Sequence, residues 1–190
     1  QKHHLRNHAK FLDDHRLEVG EEIIEAKSVV IATGSSPKLM PMFKGLGDRL
    51  IVNDDVFEWE TLPKSVAVFG PGLIGIELGQ ALHRLGVRIR VFGRSGSLTP
   101  LSDMAIRDYA EKVFQAEFPL DTKANLHGLE REGDQVKIRF VDREDGTEKE
   151  ENFEYVLAAT GRSPNVINLG LENTSLELDS REVPVFTPNT

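Results

Sequence analysis

The spacing of apolar residues changes twice between Val66 and Phe92, and the changes mark out three elements. Val66-Ala-Val-Phe69 is an unbroken apolar run, the pattern of a parallel strand buried on both faces. Leu73, Ile74, Ile76, Leu78, Ala81, Leu82 and Leu85 then recur at helical spacing. They predict an amphipathic helix whose apolar face they form, and Gly86 stands where such a helix stops. Val87-Arg-Ile-Arg-Val-Phe92 follows as a second strand. The stretch is close to the roughly 30 residues of one βαβ unit.

Elsewhere the pattern is more broken. Ala9 to Ile31 reads as short strands joined by polar turns at Asp13-Asp14 and Gly20-Glu-Glu22, a meander, and Ser28 to Pro37 as an apolar strand running into small residues. Residues 38–62 carry Pro41, Gly45, Gly47 and Asn53-Asp54-Asp55 and read as a linker, in which Trp59 is either a partly buried anchor or a contact with a further segment. Beyond the second strand a helix is predicted over roughly Ser102 to Phe118. Ser102 or Asp103 is its cap, Ile106, Tyr109, Ala110, Val113 and Phe114 are its inner face, and Pro119 is its stop. Tyr109 and Lys112 are one residue too close for the short-chain dehydrogenase pair, so packing is the expected role of Tyr109, and His83 is expected on a helix surface. Residues 124–151 alternate, most clearly over Val136-Lys-Ile-Arg-Phe-Val141, with a turn at Glu144-Asp-Gly146, which predicts a small antiparallel excursion. Glu154 to Ala158 returns as a buried strand. The expected fold is therefore α/β: a Rossmann-like, three-layer nucleotide-binding domain with an antiparallel excursion.

Charge and composition narrow the chemistry. A net charge of −8 on 190 residues, without a run of Lys and Arg, argues against nucleic acid and against an anionic membrane surface. No apolar stretch approaches the ~18 residues that cross a bilayer, and Gln1-Lys-His-His-Leu-Arg-Asn-His8 has no signal-peptide core, so a cytoplasmic location is expected. The absence of cysteine excludes disulfides, thiolate metal sites and a cysteine nucleophile within these residues. The six histidines are scattered apart from His3, His4 and His8, and no metal site is expected.

The candidate chemistry lies in the turn between the first strand and the helix, Gly70-Pro71-Gly72-Leu73-Ile74-Gly75. In a G-x-G-x-x-G turn the first glycine allows the tight bend, the second lets backbone approach a phosphate, and the third lets the helix pack closely on the strand. The helix N–H groups then face the anion, here the pyrophosphate of a dinucleotide. At the end of the second strand a carboxylate would accept hydrogen bonds from the adenosine ribose of NAD. This chain instead has Gly93-Arg94-Ser95. Arg94 can fork onto a phosphate and Ser95 can donate a hydroxyl, so the electrostatics favour NADP(H) over NAD(H); the plainer alternative for Arg94 is a solvated loop arginine.

Two near-copies bracket this unit, Val-Ile-Ala-Thr33-Gly34-Ser-Ser-Pro and Leu-Ala-Ala159-Thr160-Gly161-Arg-Ser-Pro. IATGSSP at 31–37, GPGLIGIELGQALHRLG at 70–86 and AATGRSPN at 158–165 together make the chain closely resemble the flavin-dependent pyridine nucleotide-disulfide oxidoreductases, in their dihydrolipoamide dehydrogenase-like branch. The resemblance implies an NAD(P)H-binding domain at 63–162 set into a FAD domain, of which 1–62 and 163–190 are flanking segments. It implies an internal piece of a longer enzyme that passes hydride between NAD(P)H and FAD, acts on a disulfide or dithiol, and forms a homodimer. It places Glu77 near the nicotinamide, Gly70, Pro71, Gly72, Leu73, Ile74 and Gly75 about the pyrophosphate, and Thr33, Gly34, Ala159, Thr160 and Gly161 on cofactor-facing strands. A first-turn acid favoured by the helix dipole is the alternative role for Glu77. The family's redox cysteine pair is absent from this stretch, so no catalytic residue is expected in it. A non-catalytic NAD(P)H-sensing module shares the glycine turn but leaves the paired Ala-Thr-Gly strands unexplained.

Overall fold

The computed structural model describes residues 4–96, 98, 100–143 and 145–186, so that His3 and Glu144 lie outside the described residues. The chain divides into two compact units, one of residues 1–36 and 163–190, the other of residues 37–162.

In the first unit β1 (Ala9–Phe11), β2 (Arg16–Val19) and β3 (Glu22–Glu25) form the expected antiparallel meander. A small core of Phe11, Val166, Leu169 and Leu171 lies in the same unit. The strand predicted from Ser28 is largely absent, since only Ser35–Pro37 of that stretch is paired as a strand, β4. Residues 28–34 have no neighbouring strand among the described residues; Val29 and Ile31 pack on the small core while Val30 stays 87% exposed.

The second unit is built on β5 (Leu50–Ile51), β6 (Ser65–Phe69), α1 (Leu73–Arg84), β7 (Arg88–Phe92), α2 (Met104–Gln115) and β8 (Leu120–Asp121). It continues through β9 (Asn125–Glu132), β10 (Gln135–Val141), β11 (Glu148–Phe153) and β12 (Tyr155–Ala158). β13 (Arg162–Pro164), whose last two residues belong to the first unit, pairs there with β4. The order β5-β12-β6-β7-β8 is parallel throughout, and α1 supplies the crossover that the parallel β6–β7 pair requires. β5 lies in what the sequence presents as linker, where two residues are too few to show a period. Trp59 anchors the rest of that segment against Tyr155, ring centroids 5.5 Å apart.

The apolar run of β6 is explained by burial on both sides. Val66 and Val68 join Ile76 and Leu82 of α1 in one core, while Ala67 and Phe69 join Val136, Ile138 and Phe140 of β10 and Phe153 of β11 in another. Helices, parallel sheet and antiparallel β9-β10-β11 sheet thus make the three layers.

Both helices differ from their predicted faces. On α1 the buried stripe is Gly75, Ile76, Gly79 and Leu82, whereas Leu73 and Leu85 are exposed. A Cβ on Gly79 would already touch Val91, Ile89 and Val68 at 3.4–3.7 Å, so small residues bring the helix onto the sheet. His83 is half-buried, its ring 5.9 Å from that of Phe118. α2 ends three residues early because Phe118 turns back into the core beside Phe114. Its inner stripe includes Ala110 and Phe114, with Glu111 accepting a hydrogen bond from Thr122 Oγ1 at 2.8 Å. With Ala110 and Phe114 against the core, Ile106 is left 57%, Val113 48% and Tyr109 72% exposed, contrary to the packing roles expected of them. No helix among the described residues is long and apolar enough to cross a membrane.

Candidate functional site

The glycine turn sits where β6, β7 and β12 end together. Gly70 N–H donates to Phe92 O and Ala159 N–H to Phe69 O, each at 2.8 Å, so the turn is stitched to both neighbouring strands. Gly70 has φ +107°, a conformation that favours glycine, and an added Cβ would run into the Ala159 carbonyl. A Cβ on Gly75 would be driven into the Gly70 carbonyl oxygen and would stand 3.2 Å from Ala159 Cβ. Gly72 is different: it is extended, and a Cβ there would meet nothing within 4 Å.

That open space belongs to a cleft of about 590 Å³. Of the predicted residues, Gly70, Pro71, Gly72, Leu73, Ile74, Arg94, Ser95, Ala159, Thr160 and Gly161 line it. Gly75 lies buried behind the turn, and Gly93 lines an adjoining cleft of about 340 Å³ together with Gly70 and Arg94. Glu77 is exposed on α1 and lines neither cleft, and because α1 begins at Leu73 it lies beyond the first turn, so it is not the first-turn acid offered as its alternative role. Thr33 and Gly34 belong to the first unit, where Asn165 N–H donates to Gly34 O and Asn165 Nδ2 to Thr33 O, both at 3.0 Å. Ser36 Oγ donates in turn to Asn165 Oδ1 at 2.8 Å. Asn165 thus holds the first Ala-Thr-Gly stretch, a role its place in the second motif did not reveal.

The two helix starts are unlike. Asp103 accepts from the N–H groups of Ala105 and Ile106 at 2.8 and 3.0 Å, so α2 is capped by its own carboxylate. Gly72 provides α1 with no side-chain cap, and the first turn of α1 contains no acid. The leading amides and the positive end of the helix dipole are therefore available to an anion in the cleft. Arg94 has no side-chain hydrogen bond or ion pair among the described residues. Arg162 and Asn53, which the sequence did not single out, also line the cleft, and Arg162 Nη1 donates to Asn53 Oδ1 at 3.1 Å. Thr160 Oγ1 donates to Lys38 O at 2.7 Å, and Lys38 N–H to Gly161 O at 2.9 Å, which ties the second Ala-Thr-Gly stretch in place.

A larger cleft of about 700 Å³ opens beside the C-terminal end of α2, but its charges are matched internally. Arg143 pairs with Asp121 at 3.4 Å, Lys149 with Asp142 at 2.6 Å and Arg90 with Glu151 at 2.8 Å. The glycine-turn cleft instead includes Arg94, which has no side-chain partner among the described residues.

The family model described as pyridine nucleotide-disulphide oxidoreductase matches residues 2–188. A dihydrolipoyl dehydrogenase from Chlamydia pneumoniae is 32% identical over 162 residues, 85% of this chain and 34% of that protein. A mercuric reductase from Lysinibacillus sphaericus is 34% identical over 175 residues, 91% of this chain and 32% of that protein. The chain therefore spans about a third of the length of these curated relatives. Among solved structures, the HOCl-induced flavoprotein disulfide reductase RclA from Escherichia coli shares the fold with a TM-score of 0.76 at 20% identity, over 95% of this chain and 41% of that one.

Proposed function

The chain belongs to the pyridine nucleotide-disulphide oxidoreductase family, and on that premise we propose that residues 63–162 are the NAD(P)H-binding domain of a dihydrolipoamide dehydrogenase-like flavoprotein, flanked by FAD-domain segments at 1–62 and 163–190. The observation that carries the reading is the uncapped start of α1 opening on a cleft beside an arginine with no side-chain partner among the described residues. These residues fit a dinucleotide: orphan amides for the pyrophosphate, open space at Gly72 for its close approach, and a cation for a 2′-phosphate.

In this reading the amides that begin α1 hold the pyrophosphate, and Pro71, Leu73 and Ile74 supply apolar walls that exclude water. The Ala159-Thr160-Gly161 stretch, fixed by Lys38, closes the cleft, and Arg94 with Ser95 selects NADP(H) over NAD(H). Glu77 serves the nicotinamide end, and Thr33 with Gly34 faces the flavin. The bound nicotinamide supplies hydride chemistry to FAD in the longer protein, which is cytoplasmic, homodimeric and acts on a disulfide or dithiol. The share of residues 63–162 is placement, which sets the reacting partners at a fixed distance.

Calorimetric titration with NADPH and NADH tests this directly. NADPH is expected to bind more tightly, and Arg94→Ala to weaken it about tenfold or more, the loss of a charge-assisted hydrogen bond worth roughly 1.5–3 kcal/mol, while leaving NADH unchanged. Equal or NADH-biased binding would remove the NADP assignment alone; failure of both to bind would remove the function.

A further inference from the structure

A second cation lies against the loop that carries Arg94, although it lines neither cleft. The loop after β7 is tied to the segment after β8 by three backbone hydrogen bonds: Gly93 N–H to Asp121 O at 2.6 Å, Gly96 N–H to Thr122 O at 2.7 Å, and Ala124 N–H to Gly93 O at 2.8 Å. Lys123 lies within that seam, and its aliphatic stem runs across Gly96, where an added Cβ would stand 2.9 Å from Cγ and 3.1 Å from Cδ. The missing side chain at Gly96 is what lets the lysine lie flat against the loop that carries Arg94 and Ser95.

We infer that Lys123 is a specificity-determining residue that joins Arg94 in binding the 2′-phosphate monoester of NADP(H), an assignment that rests on the function proposed above. Lys123 is exposed, and its ammonium has no ion-pair or hydrogen-bond partner among the described residues. Asp121, the acid nearest in sequence, is buried and already accepts from the backbone N–H of Lys123 at 2.9 Å and from Arg143 at 3.4 Å. Two cations carried on one hydrogen-bonded seam, neither with a side-chain partner among the described residues, make a local positive field that favours an anion. A phosphate monoester, carrying about −1.5 to −2 charges at pH 7, suits the pair better than a ribose hydroxyl. The two side chains divide the task by their chemistry. Arg94 presents a planar fork, and Lys123 a compact charge on a flexible stem.

The test is calorimetric titration of the full chain with NADPH, NADH, 2′,5′-ADP and 5′-AMP, for the parent sequence and for Lys123→Gln and Lys123→Arg. Lys123→Gln is expected to weaken NADPH and 2′,5′-ADP about threefold to tenfold, as for a partly exposed ion pair, and to leave NADH and 5′-AMP unchanged. Lys123→Arg is expected to restore the difference, and raising the salt to shrink it. Equal weakening of the phosphorylated and unphosphorylated ligands, or no weakening of either, would overturn the role of Lys123 while leaving the dinucleotide site standing. Failure of the parent chain to bind any of the four ligands would instead overturn the proposed function, and this inference with it.

Discussion

Gly72 and Gly75 lie three residues apart in one turn, yet an alanine at each should fail in a different assay. At Gly75 the new methyl would collide with the Gly70 carbonyl oxygen and crowd Ala159 Cβ at 3.2 Å, neither of which can yield without moving the turn. Overpacking against fixed backbone costs about 1–3 kcal/mol or more, so Gly75→Ala should lower the urea midpoint clearly. At Gly72 the backbone is extended at φ −83°, which alanine adopts freely, and nothing lies within 4 Å of the methyl. Gly72→Ala should therefore leave stability unchanged or raise it by about 0.4–1 kcal/mol through the unfolded chain. The methyl would nonetheless stand in the cleft where a pyrophosphate must approach the α1 amides. Losing one or two charge-assisted hydrogen bonds of roughly 1.5–3 kcal/mol each should weaken NADPH at least about tenfold. Urea unfolding and calorimetry on both variants decide the matter. A Gly72→Ala protein that binds NADPH as the parent does would refute the placement of the pyrophosphate, and a Gly75→Ala protein of full stability would refute the close packing of turn and strand.

Three further outcomes are expected. The carboxyl of Glu117 is held below its ordinary range first by the hydrogen bond from Arg84 and then by that from Gln80. A depressed carboxylate contributes stability above its unfolded pKa of about 4.3 and loses it as pH falls through the lower folded value, so Glu117→Gln should flatten the acid arm of a urea midpoint against pH profile below about pH 4.3; an unchanged arm would count against the pair. Ile138→Ala, at a fully buried site facing Ala67 and Phe69 across two sheets, should cost about 2–5 kcal/mol in urea unfolding, and a loss under about 1 kcal/mol would mean that the two sheets pack loosely. The longer protein purified without added cofactor should be yellow with bound flavin, whereas a colourless protein that binds NADPH would point to a nucleotide-sensing module.

Much of the second unit was legible because its signals are local. The βαβ stretch announces itself through a run, a helical period and a second run, and the alternation of Val136, Ile138 and Phe140 matches their burial between the sheets. The errors share one cause. A period states that residues lie on one face, but not which face meets the core, and on α2 the side of Ala110 and Phe114 packs inward while Tyr109 stays exposed. On α1 the contact stripe includes two glycines, which carry no hydrophobic signal although they permit the closest approach. The strand expected from Ser28 shows a different limit, because a strand needs a neighbour and an apolar run does not say whether one is present.

The lining of the candidate cleft was legible only as far as its residues are contiguous. Gly70 through Gly75 and Gly93 through Ser95 could be picked out because each group is a short string, the first with a backbone task and the second with a charge at the end of a strand. Lys123, Asn53 and Asn165 could not, since what brings each to its place is a hydrogen bond or an absent side chain on a distant segment: Gly96 for Lys123, Arg162 for Asn53, Thr33 and Gly34 for Asn165. The contrast between the two helix starts lies midway. An acid at position 103 and a glycine at position 72 are both plain in the sequence, but only the structure shows that the first fills its own helix end while the second opens on a cleft. An uncapped helix start is costly where nothing replaces the missing partner, since its amides must be met by water or by a ligand. α1 keeps one beside an arginine with no side-chain partner among the described residues, while α2 in the same unit is capped, and in the proposed function an anion would meet the amides of α1.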